Sequence, residues 1–149
     1  MNVVAGKLLL GLAVLSLAAS AEDNSAIEGV WINGDGDGWI ELFIEGEELR
    51  GKIIGSPDDP DNLRPPRLDT ENPDPELRTR KLLGLVFLTG FRYDGDGTWK
   101  DGRIYDPNSG NTYKGTIKME STERLKLRGY VGISVFGRTE TWTRRQDPY

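Results

Sequence analysis

Four oxygen-bearing side chains, Asp106, Asn108, Ser109 and Asn111, crowd around Pro107 and Gly110 in the stretch GRIYDPNSGNTYKG, Gly102 to Gly115. Oxygen at that density is what a hard cation such as calcium needs. The helix-flanked calcium loop, however, requires oxygens at positions 1, 3 and 5, glycine at 6 and glutamate at 12. Counted from Asp106, position 5 is Gly110, position 6 is Asn111 and position 12 is Ile117. Asp35-Gly36-Asp37 fails with Trp39 at position 5, and Asp94-Gly95-Asp96 with Trp99 at position 6. Turn chemistry explains all three stretches, so no metal site is assigned. Asp106 to Gly110 is expected to be a hairpin connection, with Asp106 capping turn amides and Gly110 in the φ > 0 position.

A second polar constellation, Asp69, Asn72, Arg78 and Arg80, lies in the segment SPDDPDNLRPPRLDTENPDPELRTR, Ser56 to Arg80, which holds six of the chain's eight prolines. This segment cannot be a central strand. Its arginines could be presented to an anionic ligand as a lid, since a guanidinium binds such groups bidentately. Alternatively they pair with the loop's own aspartates and pin it down, because a long ordered loop must satisfy its own polar groups. A carboxylate pair such as Asp69 with Asp106 would suit acid/base work on a glycan. With 24 acids in the chain, one such pairing carries little weight.

The third group is on the last strand, where Arg138, Glu140 and Trp142 share one face and Thr139, Thr141 and Thr143 the other. If Trp142 points inward, an Arg and a Glu come with it, and the interior there is polar and suited to a ligand with a charged or hydroxylated end. If the threonines point inward, those three residues are surface. Arg103 and Tyr105 pose the same question opposite Ile104. Arg103 and Tyr113, which flank the hairpin, complete the candidate ligand-binding set.

Histidine and cysteine are both absent. This excludes Ser-His and Cys-His nucleophilic machinery and zinc sites built on either residue. No cofactor is implied. The formal charge is −5, with no clustered basic face to suit nucleic acid.

The elements that must position these groups follow from a period of two. Ile40, Leu42 and Ile44 alternate with Glu41 and Glu45, Tyr113, Ile117 and Met119 with lysines and Thr116, and Leu125, Leu127 and Val131 with basic residues. Turn residues fall between. The pattern predicts strands near 28–33, 38–45, 48–54, 85–93, 98–105, 111–119, 123–131 and 136–144, with a short helical turn starting at Asp74-Pro75. Glycine recurs within Leu49-Arg50-Gly51-Lys52-Ile53, Tyr113-Lys114-Gly115-Thr116-Ile117 and Leu127-Arg128-Gly129-Tyr130-Val131, marking bends that curl a meander. The expected fold is all-β: an eight-stranded antiparallel up-and-down barrel with one long Pro-rich loop, closure removing both edges. Strands that carry Lys and Arg repeatedly, without an aromatic girdle, argue against a membrane barrel.

Met1 to Ala21 reads as a secretory signal peptide: Lys7, the apolar run Leu8 to Leu17, then small residues ending in Ala19-Ser20-Ala21. The run is too short for a membrane span, which needs about 20 residues. Residues 22–149 are then a single β-barrel domain, exported to the periplasm or beyond and built without disulfides.

Gly29-Val30-Trp31 on the first strand and Arg144 on the last resemble the clasp of lipocalin-type barrels, in which a G-x-W packs near an arginine of the final strand. A guanidinium over an indole face contributes about 0.5–2 kcal/mol depending on burial. Five motifs occur in order, GVW, LRGKI, DTENPDPELRTRKLLGL, TWKDGRIYDPNSGNTYKG and LKLRGYVGISVFGRTETWTR. Together they resemble the exported bacterial family termed domain of unknown function 2147. The resemblance implies a lipocalin-like barrel and brings no established activity.

Three functions are weighed. The first is a non-enzymatic binding module for a small hydrophobic or amphipathic ligand, suggested by the inward set Ile40, Leu42, Ile44, Ile53, Ile117, Leu125 and Leu127. The second is a filled barrel acting through its surface as an envelope-associated interaction or structural protein. The third is a carboxylate-based glycan hydrolase. The first two differ in whether the barrel holds a cavity of about 300 Å³ or more. The signal-peptide reading predicts that the exported protein begins at Glu22, which intact-mass measurement of the secreted product checks; retention of Met1 to Ala21 contradicts it.

Overall fold

The computed structural model describes residues 24–133 and 137–146, so the predicted signal peptide lies outside the described residues. Among the described residues the period-two segments form eight strands, β1 Gly29–Ile32, β2 Trp39–Glu45, β3 Glu48–Gly55, β4 Val86–Tyr93, β5 Thr98–Asp106, β6 Asn111–Ser121, β7 Arg124–Tyr130 and β8 Arg138–Arg144. Each pairs antiparallel with its neighbours in sequence, and β8 returns to β1, giving a closed barrel. Val131 falls on the same alternation as Leu125 and Leu127, but β7 ends one residue earlier. Val131 has left the sheet and is 69% exposed, so it is not an inward residue.

Antiparallel order sends the connections alternately to two ends. One end has the tight turns at 46–47, 94–97 and 122–123 and a 3-10 turn, Asn24–Ile27, that lays Ile27 over the opening. There the barrel is filled: Trp31, Leu42, Leu49, Phe91, Trp99, Ile117 and Leu125 form one buried cluster. The other end carries the β1–β2 connection, the long β3–β4 segment, the β5–β6 hairpin and the β7–β8 connection.

Bends come where glycine meets a large neighbour. A Cβ on Gly102 would lie 2.3 Å from the Phe91 ring, and one on Gly115 2.8 Å from both Phe91 and Ile104. Register shifts fall beside Gly51 in the β3–β4 pairing and between Trp99 and Gly102 in the β5–β6 pairing, where the strands turn the corner of the barrel. On the outside, cross-strand ion pairs such as Lys52–Glu41, at 2.7 Å, cover the sheet. Each is solvent-exposed enough to contribute little on its own.

The clasp forms. The Arg144 guanidinium lies 4.3 Å from the centre of the Trp31 ring, and Trp31 is fully buried. Its three nitrogens donate to the carbonyls of Thr122 at 2.6 Å, Glu28 at 2.8 Å and Ala26 at 2.5 Å. Trp31 Nε1 donates to the Ile27 carbonyl at 2.9 Å. Gly29 earns its place twice: its φ is +129°, and a Cβ there would sit 2.7 Å from Arg144 Nη1. Trp31→Ala is expected to cost about 3–5 kcal/mol, as large core aromatics do, and Gly29→Ala to destabilise as well. Urea denaturation read by circular dichroism checks both, and an unchanged midpoint for Trp31→Ala contradicts a stabilising clasp.

Candidate functional site

The hollow end holds a cavity of about 990 Å³. Its inner wall is apolar and aromatic, from Ile40, Ile53, Phe87, Ile104, Tyr113, Leu127 and Trp142. Its mouth is polar, formed by the β1–β2 connection, the Pro-rich segment and the tip of the β5–β6 hairpin.

On β8 the structure turns Trp142 inward, 2% exposed, and leaves Thr139, Thr141 and Thr143 exposed. Leu125 and Leu127, paired with Trp142 and Glu140, face the same interior. Apolar neighbours on the adjacent strand thus decide an orientation that the sequence of β8 leaves open. Trp142 stacks obliquely on Phe87, ring centres 6.4 Å apart, and its Nε1 donates to Glu140 Oε2 at 3.1 Å. Glu140 and Arg138 both line the cavity, Arg138 exposed at the rim.

Tyr113 faces the cavity beside Ile104, with which it is in register. Arg103 does not join them. It alternates with inward Gly102 and Ile104, so it stands exposed on the outer surface between Thr89 and Lys114.

The Pro-rich segment is tied to the barrel at one knot. Asp69 is 0% exposed; its Oδ1 accepts from the Tyr105 hydroxyl at 2.5 Å, and its Oδ2 from Asn72 at 2.8 Å and Arg80 Nε at 2.7 Å. Arg78 Nε donates to the Asn72 carbonyl at 2.8 Å. Asp74 caps the 3-10 turn Pro75–Leu77 by accepting from the Glu76 amide at 3.0 Å. Of the two readings of these arginines, the geometry is that of pinning: their Nε groups point into the loop. Burial alone would push the Asp69 carboxyl up, but the hydrogen bonds from Tyr105, Asn72 and Arg80, with the Arg80 charge, hold it below the ordinary carboxylate value. Burial, then the Asp69 hydrogen bond, pushes the Tyr105 phenol up.

The β5–β6 hairpin, Asp106 to Gly110, is the anchor that the segment closes on. Asp106 accepts from the Asn108 amide at 2.9 Å and from the Ser109 hydroxyl at 2.7 Å, and Gly110 has φ +75°. Arg67 donates to Asn108 at 3.2 Å, and a Cβ on Gly110 would overlap the Glu71 carbonyl. Both carboxylates of the Asp69 and Asp106 pairing are therefore engaged in structural hydrogen bonds. Among the described residues no group of three or more acidic side chains is placed to hold a metal ion. No helix among them is long and apolar enough to cross a membrane.

Sequence reasoning left out Phe87 of the cavity wall and Gly34, whose backbone packs against Glu140. Gly34 read as turn punctuation, and the face of β4 on which Phe87 lies is obscured by the register shift beside Gly51.

An antiparallel barrel filled at one end and hollow at the other defines the lipocalin-like class. The chain belongs to the bacterial family described as "Uncharacterized protein conserved in bacteria (DUF2147)", whose model matches residues 29–144. It is similar to protein HP1028 of Helicobacter pylori, described as belonging to the lipocalin family. That match has 26% identity over 80% of this chain and 83% of the other, with a TM-score of 0.73. A redesigned β-barrel, mFAP1 bound to DFHBI, matches at 15% identity over 82% of this chain and 97% of the other. Its TM-score of 0.42 is too loose to bear on the fold. No curated protein matches the sequence.

The depressed Asp69 pKa fixes a pH dependence. A carboxylate whose folded value lies below the unfolded one stabilises the fold above the unfolded pKa, and that stabilisation is lost as pH falls through the folded value. Asp69→Asn is therefore expected to cost about 1–3 kcal/mol at neutral pH, the penalty of misaligned buried hydrogen bonds. The gap to wild type should persist down to about the ordinary value of 3.8 and narrow only below it. Melting temperatures of both proteins across pH 2–7 check this; a gap that closes above pH 5 contradicts it.

Proposed function

We propose that this protein is an exported, non-enzymatic binding module that holds one small hydrophobic or amphipathic ligand in the hollow end of its barrel. The observation that carries this is the cavity of about 990 Å³, which falls within the range of small-molecule sites and is walled by aliphatic and aromatic side chains under a polar mouth. A barrel acting through its surface alone has no use for that volume, which deleting apolar packing makes costly to maintain. The engagement of Asp69 and Asp106 in structural bonds supports binding over carboxylate hydrolysis. The charged-apolar-small pattern of Met1 to Ala21 supports export to the periplasm or the medium. The family likeness supports the same reading, since HP1028 is described as a lipocalin.

Native mass spectrometry of protein purified from its own host is expected to show a co-purifying small molecule that is lost on unfolding. Ile53→Trp, which fills the cavity from its wall, should weaken an apolar fluorescent probe at least tenfold while the melting temperature stays within a few degrees. A bare protein mass, together with unaltered probe binding in Ile53→Trp, contradicts the proposal.

A further inference from the structure

The wall that carries Trp142 also carries an acid. Glu140 lies two residues nearer the mouth on the same face of β8, and both side chains line the cavity. The Trp142 indole N–H engages Glu140 Oε2 at 3.1 Å; among the described residues the carboxylate has no other hydrogen-bond partner and no ion-pair partner. Arg138, the nearest base along the strand, is exposed at the rim and closes no ion pair with it.

The acid is also accommodated by the backbone opposite. A Cβ on Gly34 would lie 3.2 Å from Glu140 Cβ and 3.4 Å from Oε2, so a bare glycine in the β1–β2 connection leaves room for the carboxylate. Around it the wall is aromatic, with Phe87, Tyr113 and Trp142 facing the same space.

Glu140 is half-buried, so its free oxygen is hydrated in the open cavity; an apolar ligand seated against the aromatic wall strips that water, and a cationic head group offsets the loss. Ring faces attract a cation as well, and most strongly one whose hydration is weak, such as an alkylated ammonium. The mouth adds to this bias. Five aspartates line it, Asp35, Asp37, Asp58, Asp59 and Asp106, against Arg64, Arg67, Lys81 and Arg138. The Arg64–Asp58 pair cancels one charge of each sign, leaving four aspartates against three bases above Glu140.

We propose that the hollow end selects amphiphiles with a positively charged ammonium head, Glu140 supplying the countercharge, Phe87 and Tyr113 the ring faces, and the aliphatic wall the seat for the hydrocarbon. This rests on the reading of the cavity as a ligand site and names the chemistry of its ligand.

The test is a matched series titrated calorimetrically below micelle formation: octyltrimethylammonium, octan-1-ol and octanoate, on wild type and on Glu140→Gln. Glutamine keeps an oxygen for the Trp142 indole and removes only the charge. The cation is expected to bind wild type at least tenfold more tightly than either other probe. In Glu140→Gln that preference should fall to within threefold, with octanol unchanged. Octanoate binding as tightly as the cation, or a preference that survives Glu140→Gln, overturns the head-group assignment while leaving the cavity reading intact. Failure of all three probes to bind overturns both. The series on wild type alone decides the preference should the variant not fold.

Discussion

A meander of antiparallel strands has two open edges, and this molecule joins them along a very short seam. β1 meets β8 in two register pairs, Trp31 with Arg144 and Ile32 with Thr143, whereas β7 meets β8 in six. Two pairs are a poor ladder. The deficit is made up by one side chain, whose guanidinium ties the carbonyls of Ala26, Glu28 and Thr122 together across the seam while lying on the Trp31 ring. Hydrogen bonds from a charged donor are stronger than neutral ones, and here three of them stand where ladder bonds are missing. The 3-10 turn that floors the barrel hangs from the same point through the Trp31 indole.

With the seam closed, the interior divides into a packed half and an open half, and glycines decide the division. Phe91 presses into the space left by Gly102 and Gly115, plugging the floor. Ile104 leans onto Gly115 and Gly129, its Cδ1 2.8 Å and 3.4 Å from where their Cβ atoms would be. A side chain that leans against glycine withdraws volume from the lumen beside it. The cavity is thus a product of which large residues have glycine to rest on.

Strand positions were legible because one face of each strand is wet and the turns between them carry Gly, Asn and Asp at the places turn geometry demands. The clasp was legible because Gly29-Val30-Trp31 on the first strand and Arg144 on the last resemble the lipocalin-type pairing, and ring closure brings those two strands together. The facing of β8 was not, since Trp and Thr are equally at ease in a strand and the arbiter, Leu125 and Leu127, sits on β7. The loop arginines were ambiguous for a similar reason: what decides whether Arg80 faces a ligand or Asp69 is Tyr105, which lies 36 residues from Asp69. The facing of Arg103 was open for the same reason as that of β8, and its outward position is settled by the inward turn of Gly102 and Ile104 on either side. Gly34 could not be found at all, since its relevance to Glu140 exists only once the barrel closes.

The Arg144 seam has a consequence in time as well as in space. Its hydrogen bonds to Glu28 and Ala26 join residues 116 and 118 positions apart. Contacts so distant in sequence carry a large loop-closure entropy and slow folding in proportion to their share of the native contacts. β1 pairs with β2 on one side only, so its other edge stays open until β8 docks against it. Closing the ring, rather than forming the strands, is the step that completes this fold.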